Sequence, residues 1–268
     1  MNQVLTNTLA MVGIGTAMLF VMMFAIWLVS VRKNNAGLVD VGWGLGLVIL
    51  ACWYAVRGPG FVGRKWIMAG MVAAWGLRLS LHLIQRIRRE PEDGRYQELR
   101  RNWQGKNLNL RFLFFFEFQA LLDVVLSTPM VMAAVNNSRQ LHSLEYVGIA
   151  LWLVAIIGES VADSQLAAFK KNPANRGRVC QVGLWNYSRH PNYFFEWFVW
   201  IAWTVYAWAS PWGWLSTVSP VLMFLFLFRV TGIPATEAQS LRSRGEEYQR
   251  YQRTTSALIP WFKKSSAA

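Results

Sequence analysis

Gly183-Leu-Trp-Asn-Tyr-Ser-Arg-His-Pro-Asn-Tyr-Phe-Phe-Glu196 leads from a polar, basic stretch straight into an apolar run. Arg189, His190, Asn192, Tyr193 and Glu196 straddle that border. A carboxylate inside a membrane helix is costly, so Glu196, about one turn in, marks a functional position by default. Pro191 stands where a helix would start, and the backbone N–H groups left free at such a start suit an anion. The segment reads as a site that meets a charged cofactor from the membrane surface.

Apolar runs of the same kind recur outward in both directions. The chain has 268 residues, 54% of them hydrophobic and only 15% charged, with 15 Trp and 16 Phe. That composition excludes an ordinary soluble domain and carries the aromatic load of membrane–water interfaces. Seven runs are long enough to cross a bilayer, at 8–31, 37–56, 66–85, 112–135, 144–167, 192–209 and 212–230. The expected fold is therefore all-α: one polytopic membrane domain over 1–268, with 231–268 as a cytoplasmic C-terminal segment. The first run has no Lys or Arg before it, and Arg32 and Lys33 follow it. A secretory signal has the reverse polarity, so it reads as a retained span with its amino end outside.

Charge checks this topology. With the N-terminus outside, only Arg57, Arg64, Lys65 and Arg139 of the 27 Lys and Arg fall outside, and Arg78 lies within a span. The rest are cytoplasmic, as the positive-inside rule requires. The net charge of +13 then reflects topology and anionic lipid, not nucleic acid. An integral protein of a bacterial inner membrane is the expected setting, with the lipid bilayer as partner and no protein partner inferable. Cys52 and Cys180 fit neither a disulfide framework nor a zinc-ligand pattern, and no metal is implied.

Ionisable residues inside or beside the spans are the remaining candidates. Asp40 opens Asp40-Val-Gly-Trp-Gly-Leu-Gly46, whose glycines allow close helix packing; it serves either as a surface cap or as a functional acid. Arg78 needs a partner, with Asp40, Glu117 and Asp123 available. Glu159 and Asp163, one turn apart, precede Lys170, Lys171, Arg176 and Arg178. Carboxylates accept from ribose hydroxyls and guanidinium groups bind phosphate, so this set suits a nucleotide; an internal ion-pair network is the competing view. Asn192 and Glu196 share a helix face, with Glu196 about 6 Å deeper.

Gly-Leu-Trp-x-Tyr-Ser-Arg-His-Pro-Asn-Tyr-x-x-Glu, Thr231-Gly-Ile-Pro-x-x-Glu237 and Tyr248-x-x-Tyr251-x-x-x-Thr-Ser-x-Leu-Ile-Pro260 resemble the bacterial DUF1295 proteins, relatives of the steroid 5-alpha-reductase family. Asp40-Val-Gly-Trp43, Trp75-Gly-Leu-Arg78 and Glu92-Asp-Gly-Arg-Tyr96 extend the likeness over nearly the whole chain. The resemblance implies seven membrane helices, NADPH in a cytoplasm-facing cavity, and reduction of a carbon–carbon double bond conjugated to a carbonyl in a lipophilic, steroid-like or isoprenoid substrate. It places Asn192 and Glu196 on the reductases' nicotinamide-side Asn and conserved Glu, Asp163 on their ribose-side Asp, Lys170 and Arg178 on or beside basic positions, and Arg229 on the arginine near the end of the last span. In the mechanism expected from it, Arg189, Arg178, Lys170 and Arg229 hold phosphates and Asp163 and Glu237 hold ribose or amide groups, with His190 and Tyr193 in the same cradle. Glu196 and Asp40 are the expected catalytic acids. Membrane methyltransferases of the isoprenylcysteine carboxyl type are similar at 189–193, 237–241 and 248–260, which makes S-adenosylmethionine the alternative cofactor. A non-enzymatic membrane protein is the third reading.

Overall fold

The computed structural model describes residues 2–105, 107–230 and 232–264. Thr231, which opens the Thr231-Gly-Ile-Pro motif, and the tail at 265–268 lie outside the described residues. Among the described residues the chain is all-helical, without strands, as its hydropathy predicts. The helices gather into two compact units, one of residues 1–145 with 206–219, the other of 146–205 with 220–268.

The first unit holds α1 (Asn2–Lys33), α2 (Leu38–Arg57), α3 (Val62–Arg89), α4 (Gly94–Asn102), α5 (Leu108–Leu126) and α6 (Thr128–Val135). α2 is its centre, packed on α1, α3 and α5. Small residues make that possible. A Cβ on Gly44 would meet Ser80 Oγ at 2.7 Å, and one on Gly76 would meet the Gly44 carbonyl at 2.9 Å, so α2 and α3 touch backbone to backbone. Trp43 and Trp75 flank this contact edge to face at 5.6 Å. α1 by contrast shows Leu9, Ile14, Val21 and Leu28 outward, the apolar surface expected against lipid.

The run read as one span at 112–135 is broken. α5 and α6 meet at Ser127 with a bend of 41°. Pro129, in the first turn of α6, has no N–H to give and its ring crowds the preceding turn, which accounts for the kink. Ser127 and Thr128 turn their hydroxyls onto Val124 and Val125 carbonyls at 2.8 and 2.6 Å, taking up acceptors that the break releases.

The second unit holds α7 (Ser143–Lys171), α8 (Pro191–Ala207), α9 (Val218–Leu225) and α10 (Ile233–Thr254), with a π-helical turn at Phe226–Val230. Trp185 ties the loop before α8 to α7 through Ala162 O at 2.8 Å, and Trp197 ties α8 to Pro220 O at 2.9 Å. α10 kinks at Gly245, whose φ of 52° and ψ of −126° suit a residue without a Cβ.

Five helical runs among the described residues are long and apolar enough to span a bilayer: α1, α2, α3, α7 and a stretch within Gly213–Thr254. The bent pair α5–α6 makes six if it counts as one span. The remaining expected span coincides with α8, whose 17 residues reach about 25 Å, short of the roughly 30 Å hydrocarbon core.

Candidate functional site

In the second unit the border segment folds against α10. Tyr251 donates its hydroxyl to the Trp185 and Ser188 carbonyls, the latter at 3.0 Å. Ser188 Oγ donates to Leu258 O at 2.7 Å, and the Arg189 amide donates to Ser256 O at 2.9 Å. These bonds fix where Arg189 and His190 point. Arg189 Nε donates to Glu237 Oε1 at 2.6 Å, while its NH1 donates to Gln252 O and Thr255 O, closing carbonyls at the end of α10. His190 Nε2 lies 3.2 Å from the same Glu237 oxygen, and Gln252 Nε2 donates to the other at 2.8 Å.

Glu237 is thus held by three protein side chains. Burial alone pushes its carboxyl up, but the hydrogen bonds from His190, Arg189 and Gln252 and the Arg189 charge outweigh burial and bring it down to about 2. The His190 ring stacks on Tyr193, 5.4 Å away and 6° from parallel, and Tyr193 OH meets Thr236 Oγ1 at 3.2 Å. Asn192 follows Pro191 in the first turn of α8. Its Oδ1 is buried without a hydrogen-bond partner, an acceptor left for something else to satisfy. Glu196, one turn on, is half-buried.

Beyond the C-terminal end of α7 lies a cavity of about 390 Å³. Lys170, Lys171, Arg176, Arg178 and Arg244 line it, with the buried Cys180 in its wall. Arg244 is fixed there by donating to Arg178 O at 3.0 Å and Ser240 Oγ at 3.3 Å. Asp163 lies two turns before Lys170 on the same face of α7, about 10 Å away along the axis. Arg229 is exposed on the π-helical turn. The structure thus brings Lys170 and Arg178 together around the cavity and joins Arg189, His190, Tyr193 and Glu237 in the network. Asp163, Asn192, Glu196 and Arg229 do not line that cavity.

Asp40 belongs to the first unit. Its Oδ1 accepts from Tyr96 OH at 2.6 Å and its Oδ2 from Arg95 at 3.1 Å. Asp93 caps α4 through the Arg95 amide and pairs with Arg86 at 2.7 Å. Burial pushes Asp93 up, yet Arg95 and Arg86 leave it below the usual carboxylate range. Tyr96 is buried on α4; burial first, and then the Asp40 charge, hold its hydroxyl well above the usual tyrosine range. Sequence reasoning quoted Tyr96 only as part of a motif and gave it no role; its pairing with Asp40 spans 56 residues. It also left Asp123 among partners for Arg78, whereas Asp123 is fully buried against Gly46 with neither carboxylate oxygen hydrogen-bonded.

Residues 26–255 match a family described as "Protein of unknown function (DUF1295)". The chain belongs to the DUF1295 family. This DUF1295 protein is similar to an uncharacterised protein of Schizosaccharomyces pombe, 24% identical over 234 residues, covering 73% of this chain and 68% of that one. It is also similar to a probable O-methyltransferase of Ustilaginoidea virens, 26% identical over 129 residues. That alignment covers 47% of the DUF1295 chain and 43% of the fungal protein. No solved structure matches it significantly.

Proposed function

We propose that this DUF1295 protein is a membrane enzyme, set in a bacterial plasma membrane, that binds NADPH and reduces a carbon–carbon double bond conjugated to a carbonyl in a lipophilic substrate. The observation that carries the reading is the cavity lined by Lys170, Lys171, Arg176, Arg178 and Arg244. Five cations around one concave site fit a ligand rich in phosphate, as NADPH is; S-adenosylmethionine offers a single carboxylate and calls for no such set. The orphaned Asn192 Oδ1 supports it, as an acceptor for a carboxamide N–H.

Lys170 and Arg178 would hold phosphate, Asp163 ribose hydroxyls, and Asn192 the nicotinamide amide. When bound, NADPH supplies the hydride that adds to the β carbon of the enone. Negative charge then develops on the substrate carbonyl oxygen, and a hydrogen-bond donor must meet it. Glu196 is the acid assigned to that role; Asp40, the other expected acid, is engaged as an acceptor by Tyr96 OH at 2.6 Å and Arg95 at 3.1 Å. The Arg189–Glu237–His190 network orients the α8 start that carries Asn192 and Glu196.

Methyl transfer from S-adenosylmethionine is the second reading, favoured by the similarity to the probable O-methyltransferase. Thermal unfolding of the detergent-purified protein with each cofactor separates the two. A ligand at 100 times its Kd stabilises by about 2.7 kcal/mol. NADPH is expected to raise Tm and S-adenosylmethionine to leave it unchanged. The opposite result assigns the methyl-transfer reading, and no shift with either sinks both.

A further inference from the structure

Next to the start of α8, loop residues 181–190 and the chain after α10 build one surface. Trp261 donates its backbone N–H to Tyr187 O at 2.9 Å, and Lys264 N returns to Thr254 O at 2.9 Å. Lys263 Nζ donates to Gln181 Oε1 at 2.7 Å, and the Tyr187 and Phe262 rings meet edge to face at 6.1 Å. Leu258 is buried beneath them. Above it, Trp261 is 67% exposed, Phe262 76% and Ile259 56%, with Tyr187 and Val182 exposed beside them.

We propose that this surface is a membrane-surface anchor, seating Trp261 and Phe262 in the headgroup layer of an anionic leaflet with Lys263 and Lys264 on its phosphates. A contiguous exposed apolar patch on a folded chain marks an interaction surface. The side-chain types choose the partner: Trp and Tyr concentrate at headgroup depth, and lysines beside them are drawn to anionic lipid. Position agrees, because α8 begins at Pro191, directly after this loop, and runs into the apolar stretch that follows Glu196. The positive-inside reading puts this basic end against the anionic cytoplasmic leaflet.

The anchor is joined to the candidate site. Arg189 donates its amide to Ser256 O and its NH1 to Thr255 O, so the segment that carries the anchor also holds the residue that grips Glu237. Seating Trp261 and Phe262 in lipid would stiffen 185–190 and with it the His190–Glu237 contact. None of this depends on which cofactor is bound.

Hydrogen exchange of the full chain tests it, comparing detergent, phosphatidylcholine nanodiscs, and nanodiscs with added phosphatidylglycerol. In wild type, amides at 257–264 and 185–190 are expected to exchange several-fold more slowly in nanodiscs, and more slowly again with phosphatidylglycerol. Trp261→Ser with Phe262→Ser should lose the slowing in both lipids. Lys263→Gln with Lys264→Gln should lose only the phosphatidylglycerol increment, roughly five-fold per lysine in surface affinity. Equal exchange in detergent and both lipids overturns the proposal. So does slowing that appears only on adding a soluble protein fraction, which would assign the surface to a protein partner. Should the aromatic variant fail to fold, the wild-type comparison across the three environments still decides.

Discussion

Tyr96 donates its hydroxyl to Asp40 across 2.6 Å, joining the short helix after α3 to the first turn of α2. Arg95 takes the second carboxylate oxygen at 3.1 Å, and Asp93 and Arg86 extend the chain of charges. A hydrogen bond to an ionised group contributes about 1.5–3 kcal/mol. Tyr96→Phe should therefore destabilise the protein by that order, measured as a fall in Tm. Asp40→Asn should do less harm, since an amide oxygen still accepts from Tyr96; a larger loss from Asp40→Asn would show that Arg95 is the partner that matters.

Arg64 and Glu145 are both fully buried, 81 residues apart in sequence. Glu145 takes two guanidinium nitrogens, NH2 at 3.1 Å, and the other donors reach the carbonyls of Asn136, Ser138 and Gln140. Removing one member of such a pair strands the other, at a cost on the order of 3–5 kcal/mol. Glu145→Gln and Arg64→Met are each expected to lower Tm sharply. Their combination should recover part of the loss, which a double-mutant cycle would read directly.

Glu237 makes stability depend on pH. Its folded pKa of about 2 lies below the ordinary 4.5, so the unfolded chain binds more protons between those values. The contribution is complete above pH 4.5 and is lost as pH falls toward 2. Unfolding curves recorded across that range should flatten in Glu237→Gln, and the variant should also be less stable at neutral pH. An unchanged profile would mean that Arg189 and His190 do not hold the carboxylate in solution.

Glu196→Gln should abolish turnover while leaving the cofactor-induced Tm shift intact. Asn192→Ala should weaken that shift, because Asn192 offers the buried acceptor with no partner inside the protein. Wild-type turnover by Glu196→Gln would remove Glu196 from the chemistry.

Lys170→Gln and Arg178→Gln should each weaken NADPH binding about ten-fold or more, as loss of a charge-assisted hydrogen bond to phosphate does. The dependence of affinity on salt should fall in step. Variants that bind NADPH normally would move the phosphates away from this cavity.

Much of the architecture was legible along the chain. Helix-length apolar runs and the crowding of Lys and Arg on alternate connections are local properties, and they predicted an all-helical membrane protein. Gly44 was legible too, because a small residue in an apolar run has few other uses. The break at Ser127 was not, although Pro129 was visible: in one long apolar run a proline can kink or be tolerated, and neighbouring helices decide which. The border segment 183–196 was read as rich in function-bearing groups, but its hydrogen bonds were not readable. Arg189 faces Glu237, 48 positions away, and the α10 carbonyls.

The sequence by itself determined the solvent. Hydrophobicity and charge act residue by residue, so composition and order suffice to place helices in lipid and basic loops beside it. Partners were decided only by tertiary structure. Tyr96 with Asp40, Glu145 with Arg64 and Glu237 with Arg189 are contacts between distant segments, set by where helices cross and where α5 bends. A carboxylate's neighbours in sequence state how costly its burial is; only its neighbours in space state what it is for.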